Sequence, residues 1–345
     1  MPGTDFPATD TRMTAPRCHP ESYIQFLLAT PKVCTATEAA RVQPDRPAAP
    51  AHDAFTRLLH RLEPEPDALW ADVAPLVDRA AGVLVVDDTT LDKPHARKVE
   101  LVTRHWSGKH RAVVDGINRI TVVWADAGRL YPTDYRVYHK SADGKTTNDH
   151  VRDLLTAAYD RGFYPRYVLF DGWYTGLENL KLVRSFGWLF LGRLKADRLV
   201  RVNRGPPTRL DALPIAEAGT VVWLPGYGLL KVFRTAAPDG GAEYWVANDP
   251  DLDAAGREEL SREAWAVETY HRGLKQHTGV ERCQCRAGRA QRNHIGLAIR
   301  ALVRLEYHRV VAGVSWFEAK CRVIRAAVRA YLANPGYCLP NPATA

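Results

Sequence analysis

Long apolar runs are missing from this chain. No uncharged apolar stretch approaches the roughly 18 residues that a membrane-crossing helix needs, so helical spans are excluded and no membrane partner is expected. Charges and prolines come early at the N-terminus, with no apolar core of a secretory signal, and a cytoplasmic location is expected. Cysteine is sparse and unpatterned. The six stand at 18, 34, 283, 285, 321 and 338, with no CxxC pair and no disulfide-like spacing. Cys283, Cys285 and nearby His277 are not followed by a second ligand pair at a zinc-finger distance. Free thiols in a reducing compartment are therefore expected.

What is present is an ordinary globular composition, on a chain long enough at 345 residues for a large core and more than one structural unit. The net charge of +8 is uneven. From Arg262 to Tyr331 there are 14 Lys and Arg against 5 Asp and Glu, a balance of +9, which leaves −1 for the remainder. A basic C-terminal third on a near-neutral body points to a polyanionic partner, with nucleic acid as the first candidate.

The most informative stretch is Val83-Leu84-Val85-Val86-Asp87-Asp88. A run that is apolar on both faces reads as a strand in the middle of a sheet. Carboxylates at the end of such a strand are costly unless they are paired or bind a metal. Tyr167-Val168-Leu169-Phe170-Asp171-Gly172 repeats the pattern. A helix from about Asn148 to Gly162 lies between them, so the two strands are expected to be parallel neighbours with both acids at one sheet edge. Between the first acid pair and that helix, strands are expected over Val99 to Ser107 and Ala112 to Ala125, joined by a tight turn at Ser107-Gly108-Lys109-His110. A helix from Leu177 to Phe186 and a strand from Trp188 to Leu194 follow.

Further on, Glu268, His271, Arg272 and Lys275 fall at i, i+3, i+4 and i+7 of a helix, on one face. One acid among three potential cations suits a carboxylate that holds a metal while the bases hold nucleic-acid phosphates. Alone, the pattern reads better as a surface helix with an i,i+4 ion pair from Glu268 to Arg272. Together, two strand-end aspartates and a helical glutamate suit a two-Mg²⁺ site for in-line phosphoryl displacement. Such a site needs oxygen donors only, and Mn²⁺ can substitute. Asp87 is the rival of Asp88, because neighbouring strand residues point to opposite faces. Lys93 is a candidate DNA contact, and Arg286, Arg289 and Arg292 a candidate phosphate-tracking stripe on the next helix. Trp173 and Tyr174 either stack on a frayed base or pack beneath the loop.

Asp-Asp-Thr-Thr-Leu-Asp-Lys-Pro, Phe-Asp-Gly-Trp-Tyr, and Trp-x-x-Glu with a lysine seven residues on resemble the DDE transposases of bacterial insertion sequences. The resemblance is to the branch with an RNase H-like catalytic fold and a β insertion before the glutamate, and it covers roughly residues 50 to 313. It implies a Mg²⁺-dependent enzyme that nicks double-stranded DNA at transposon terminal repeats and joins the freed 3′-hydroxyl to target DNA. By motif match Asp88, Asp171 and Glu268 are the catalytic and metal-holding residues, and Lys275 contacts phosphate. A dimer in the DNA complex and a bacterial, nucleoid-associated location are also implied. Many members carry a Tyr seven and an Arg four residues before the glutamate, where this chain has Ser261 and Ala264. A metal-dependent nuclease of the same fold without strand transfer, and a decayed copy that only binds DNA, are the alternatives.

The expected fold is α/β, an RNase H-like mixed sheet with flanking helices. The divisions expected are a disordered tail over 1–20, a helical domain over 21–80, the first part of the core over 81–195, a β-rich insertion over 196–250, the second part of the core with the glutamate over 251–313, and a C-terminal helix and tail over 314–345. The helices of 21–80 form either a helix-turn-helix that reads DNA or a packing module.

Overall fold

The computed structural model describes residues 15–47, 49–108, 110–237 and 240–335. Most of the expected N-terminal tail, and Lys109, Pro238, Asp239 and Cys338, lie outside the described residues. Four helices open the fold: α1 (Pro20–Ala29), α2 (Ala36–Arg41), α3 (His52–Arg61) and α4 (Asp67–Val73). Thr35 caps α2 by accepting from the Glu38 amide, as its side-chain chemistry dictates. Phe55, Leu58 and Leu59 form the buried stripe of α3.

The sheet begins with β1 (Val83–Asp92), β2 (Thr103–Ser107), β3 (Ala112–Asp126) and β4 (Arg129–Tyr138). After α5 (Thr147–Asp160) come β5 (Tyr167–Phe170), α6 (Leu177–Ser185) and β6 (Phe190–Leu194). The expected crossover is observed: β1 lies antiparallel to β3 and parallel to β5, and β5 parallel to β6. α5 starts with a reciprocal capping box between Thr146 and Asp149, which fixes where the crossover helix begins.

Two expectations are corrected here. β1 does not end at Asp88 but runs four residues further, because Thr89 to Asp92 keep their ladder with Arg119 to Gly116. The aspartates are therefore mid-strand. β4 was not expected at all. Its Pro132 falls where the register with β3 shifts, so the two-residue periodicity of a strand is interrupted.

The β-rich segment holds β7 (Leu199–Val200) and β8 (Thr208–Arg209), a small separate ribbon, followed by β9 (Thr220–Leu224), β10 (Gly228–Ala236) and β11 (Ala242–Ala247). β11 pairs antiparallel with β6, so these last three strands extend the main sheet to nine strands in all. Helices complete the chain: α7 (Ala254–Ala264), α8 (Ala266–His277), α9 (Gly288–Ala312) and α10 (Trp316–Ala333). The long α9 is the post on which the N-terminal helices pack. Asn293 donates to the carbonyls of Leu59 and Leu62, the Tyr23 hydroxyl meets His294 at 2.8 Å, and Arg300 and Arg304 hold Asp72. Among the described residues no helix is long and apolar enough to cross a membrane.

Candidate active site

The parallel register pairs Val86 with Phe170, which sets Asp87 and Asp171 side by side at the next position. Alternation along β1 then sends Asp87 and Asp88 to opposite faces of the sheet. Asp87 turns toward α8, where its carboxylate lies 3.5 Å from His271 Nε2. Asp88 turns the other way. It accepts from the Tyr174 hydroxyl at 2.6 Å and from the Asn118 amide on β3. Asp171 closes a tight loop after β5 by accepting from the amides of Trp173 at 2.9 Å and Tyr174 at 3.2 Å.

All of these acids open into one cleft of about 1360 Å³. Its floor is Asp87 to Thr90, one wall is Glu268, His271, Arg272 and Lys275 of α8, and another is Arg104 to Gly108 at the end of β2. Thr146, Thr147 and Trp173 line it as well. Asp88, Asp171 and Glu268 thus share a cavity, although among the described residues no three His, Cys, Asp or Glu side chains are grouped closely enough to hold an ion between them. Glu268 on its helix and Asp171 on its loop are exposed, whereas Asp87 and Asp88 are half-buried.

The enclosure has an electrostatic cost. Burial first, and the neighbouring Asp88 charge second, push the Asp87 carboxyl up to about 7. Burial and then the charge of Asp87 push Asp171 up to about 6. Burial, with the charge and hydrogen bond of Asp88 behind it, also drives the Tyr174 phenol far above its ordinary range, so it stays a donor to Asp88.

Beneath Asp87 lies a buried link between β3 and α8. Arg119, wholly buried, donates to the Tyr270 hydroxyl and meets His271 Nδ1, both at 2.8 Å. Burial and the adjacent guanidinium hold His271 well below its usual range, so it is a neutral ring. His271 was expected to touch DNA. It is 4 % exposed and braces Asp87 instead, because the face it shares with Glu268 turns inward toward the sheet at that point.

Lys93 is likewise not on the surface. Its ammonium donates to the carbonyls of Glu281 and Cys283, each at 2.8 Å, which ties β1 to the loop after α8. Burial lowers its pKa. Lys275 half-emerges in the cleft and donates to the Thr90 carbonyl at 2.8 Å, and Arg272 is exposed there. The arginine stripe dissolves. Arg286 precedes α9, Arg289 pairs with Glu63 at 2.9 Å, and Arg292 donates to the Val137 carbonyl at 2.6 Å. None of the three lines the cleft. Ser261 and Ala264 fall on α7, where Ser261 donates to the Glu258 carbonyl. Cys18, Cys34, Cys283, Cys285 and Cys321 are free thiols.

Residues 78–304 match the family model described as the transposase DDE domain. The chain belongs to that family. The match begins before β1 and ends within α9, so it spans every residue placed in the cleft. No curated protein sequence matches this transposase-family chain. Among solved structures it is similar to a piggyBac transposase synaptic complex with hairpin DNA, seen by cryo-EM. That likeness has 11 % identity and a TM-score of 0.48, over 93 % of this chain and 75 % of that one. It is also similar to the Drosophila P element transposase strand transfer complex, with 12 % identity and a TM-score of 0.29, over 56 % of this chain and 47 % of that one.

Sequence reasoning missed Asn118, Arg119 and Tyr270, which support the acids. Arg119 and Asn118 sit in an otherwise apolar strand, Ile117 to Trp124, and polar residues inside such a run were the available signal.

Proposed function

We propose that this chain is a DNA transposase that cleaves double-stranded DNA at the terminal repeats of a mobile element and joins the freed 3′-hydroxyl to a target strand. The observation that supports it best is the single cleft that gathers Asp88, Asp171 and Glu268 with Arg272 and Lys275, in a chain of the transposase DDE domain family.

The donor set fits Mg²⁺. The cleft offers carboxylate oxygens, and burial together with a neighbouring carboxylate charge (Asp88 beside Asp87, Asp87 beside Asp171) raises two of its aspartates toward neutrality, a repulsion that a divalent cation relieves. Asp88, Asp171 and Glu268 would hold the metal, with Asp87 as the rival for the first position. When bound, Mg²⁺ supplies a more acidic attacking hydroxyl or water and neutralises charge on the leaving oxygen.

The chain's own groups do the positioning. Tyr174 and Asn118 donate to the two oxygens of Asp88 and fix its plane. The buried Arg119–His271 link braces Asp87 against α8 and so sets the distance of Glu268 from the floor. Arg272, exposed on the wall, is placed to hold backbone phosphate, and Lys275 stands beside it.

Replacing Asp171 with Asn tests the reading. Mg²⁺-dependent cleavage of element-end DNA is expected to vanish while affinity for the same DNA stays unchanged. Retained cleavage would sink the assignment. A nuclease without strand transfer is distinguished by looking for joined products with wild-type protein.

A further inference from the structure

One wall of the cleft has no part in the account above. β2 and the first residues of β3 form a two-stranded arm, paired from Thr103–Gly116 to Ser107–Ala112. Gly116 is where the arm leaves the body, since it pairs with Asp92 of β1 and with Thr103 of β2. A Cβ there would stand 2.4 Å from Thr90 Cγ2, so the arm's root is pressed directly onto the strand of the aspartates. His110, in the turn, is tied back to Asp92 at 3.0 Å.

Alternation along β2 decides what the arm presents. Ser107 is buried, and His105 lies 6.3 Å from the Tyr138 ring. Arg104 and Trp106 point the other way, and both are exposed. Trp106 is 67 % exposed, the highest value for a large hydrophobic residue among those described. Its cross-strand partner is Val113, itself exposed, so the pair leaves most of the indole bare. A tryptophan kept for packing would be covered. This one lines the same cleft as the carboxylates, with Arg104 on its own strand and Lys140 also in the lining.

We infer that the arm is a nucleic-acid-binding arm. Trp106 stacks on an unpaired base of the strand lying in the cleft, and Arg104 and Lys140 take the adjoining phosphates. The inference rests on the DNA-processing function proposed above and names which part of the DNA the site holds. A bare indole face in a cleft that also holds Arg104 of the same strand face and Lys140 matches a base and its backbone. Bases inside a duplex are already stacked on both sides, so the ring's partner is one that has left its pair. Such stacking tolerates any base, and the arm therefore senses the unpaired state and not a sequence.

The test uses the full chain without divalent metal, at one fixed low salt concentration, so that cleavage plays no part. Fluorescence anisotropy compares a blunt duplex of about 20 base pairs with the same duplex bearing a single-stranded tail of about four nucleotides, a length within one binding site. Wild type is expected to prefer the tailed DNA. Trp106→Ala should bind the tailed DNA about 10-fold more weakly, within the range a base–aromatic stack contributes, and the blunt DNA equally well. Trp106→Phe should keep most of the preference, which separates stacking from a folding defect. If wild type binds both DNAs alike, or Trp106→Ala keeps the preference or weakens both DNAs equally, the arm inference is overturned and the transposase reading stands. If wild type binds neither DNA, the transposase reading falls and takes the arm with it.

Discussion

Replacing Asp87 with asparagine should stabilise this protein in alkaline buffer and leave it unchanged in acid. In the folded chain the Asp87 carboxyl is raised from 3.8 to about 7, so the native state binds that proton more tightly than the unfolded chain does. Below about pH 3.8 the group is protonated in both states and costs nothing. Stability falls as pH rises from there, and the full penalty stands above about pH 7. At about 1.4 kcal/mol for each pH unit the penalty is roughly 4 kcal/mol. The side chain retains 18 % of its surface, so solvent screens part of this and about 3 kcal/mol is the working figure. Unfolding entropy near 2.1 cal/mol/K per residue, over 345 residues, converts that to a rise in Tm of about 4 °C. Thermal melts followed by circular dichroism in EDTA provide the assay. Wild type and Asp87→Asn should melt together near pH 4, and the variant should melt higher by about 4 °C at pH 8. Added Mg²⁺ at pH 8 should lift the wild type toward the variant. A variant that melts lower than wild type at pH 8, or a difference that is the same at both pH values, would refute the electrostatic account of the cleft.

Two other substitutions probe the supports. Tyr174→Phe removes a donor from a charged carboxylate, an interaction of about 1.5–3 kcal/mol, and should slow strand cleavage about 10-fold or more in a gel assay while DNA affinity holds. An unchanged cleavage rate would show that Asp88 needs no such brace. Gly273→Ala places a Cβ 2.2 Å from the Trp316 ring between α8 and α10. Overpacking of about 1–3 kcal/mol should exceed the helix-propensity gain of about 1 kcal/mol and lower the urea midpoint, and a raised midpoint would contradict that packing.

Much of this arrangement is legible in the sequence. Val83 to Val86 and Val168 to Phe170 are buried on both faces, and a helical crossover leaves them little choice but to lie parallel. What stayed hidden has a physical reason in each case. Helical spacing shows which residues share a face but not whether that face is turned to solvent or to the sheet. His271 therefore read as a DNA contact when it is wedged against Arg119. Lys93 read as exposed because a lone lysine after a strand usually is, and its two carbonyl partners come from a loop some 190 residues away. Pro132 hid β4 by breaking the alternation at a register shift. Trp106 looked like any residue of a strand, because its exposure is a property of the arm's projection and not of its neighbours in the chain.

The tie from Lys275 to Thr90 joins residues 185 apart, and the tie from Lys93 to Glu281 joins residues 188 apart. At a synthesis rate of about 5–20 residues per second, β1 waits roughly 10–40 s for its partner helix to be made. During that interval Asp87 and Asp88 of β1 exist without Glu268, Arg272 or Lys275. A ribosome that stalls or a message that is cut before α8 yields a chain that lacks the wall made by Glu268, His271, Arg272 and Lys275. Completion of the cleft is therefore a late event in synthesis, set by the position of α8 in the chain.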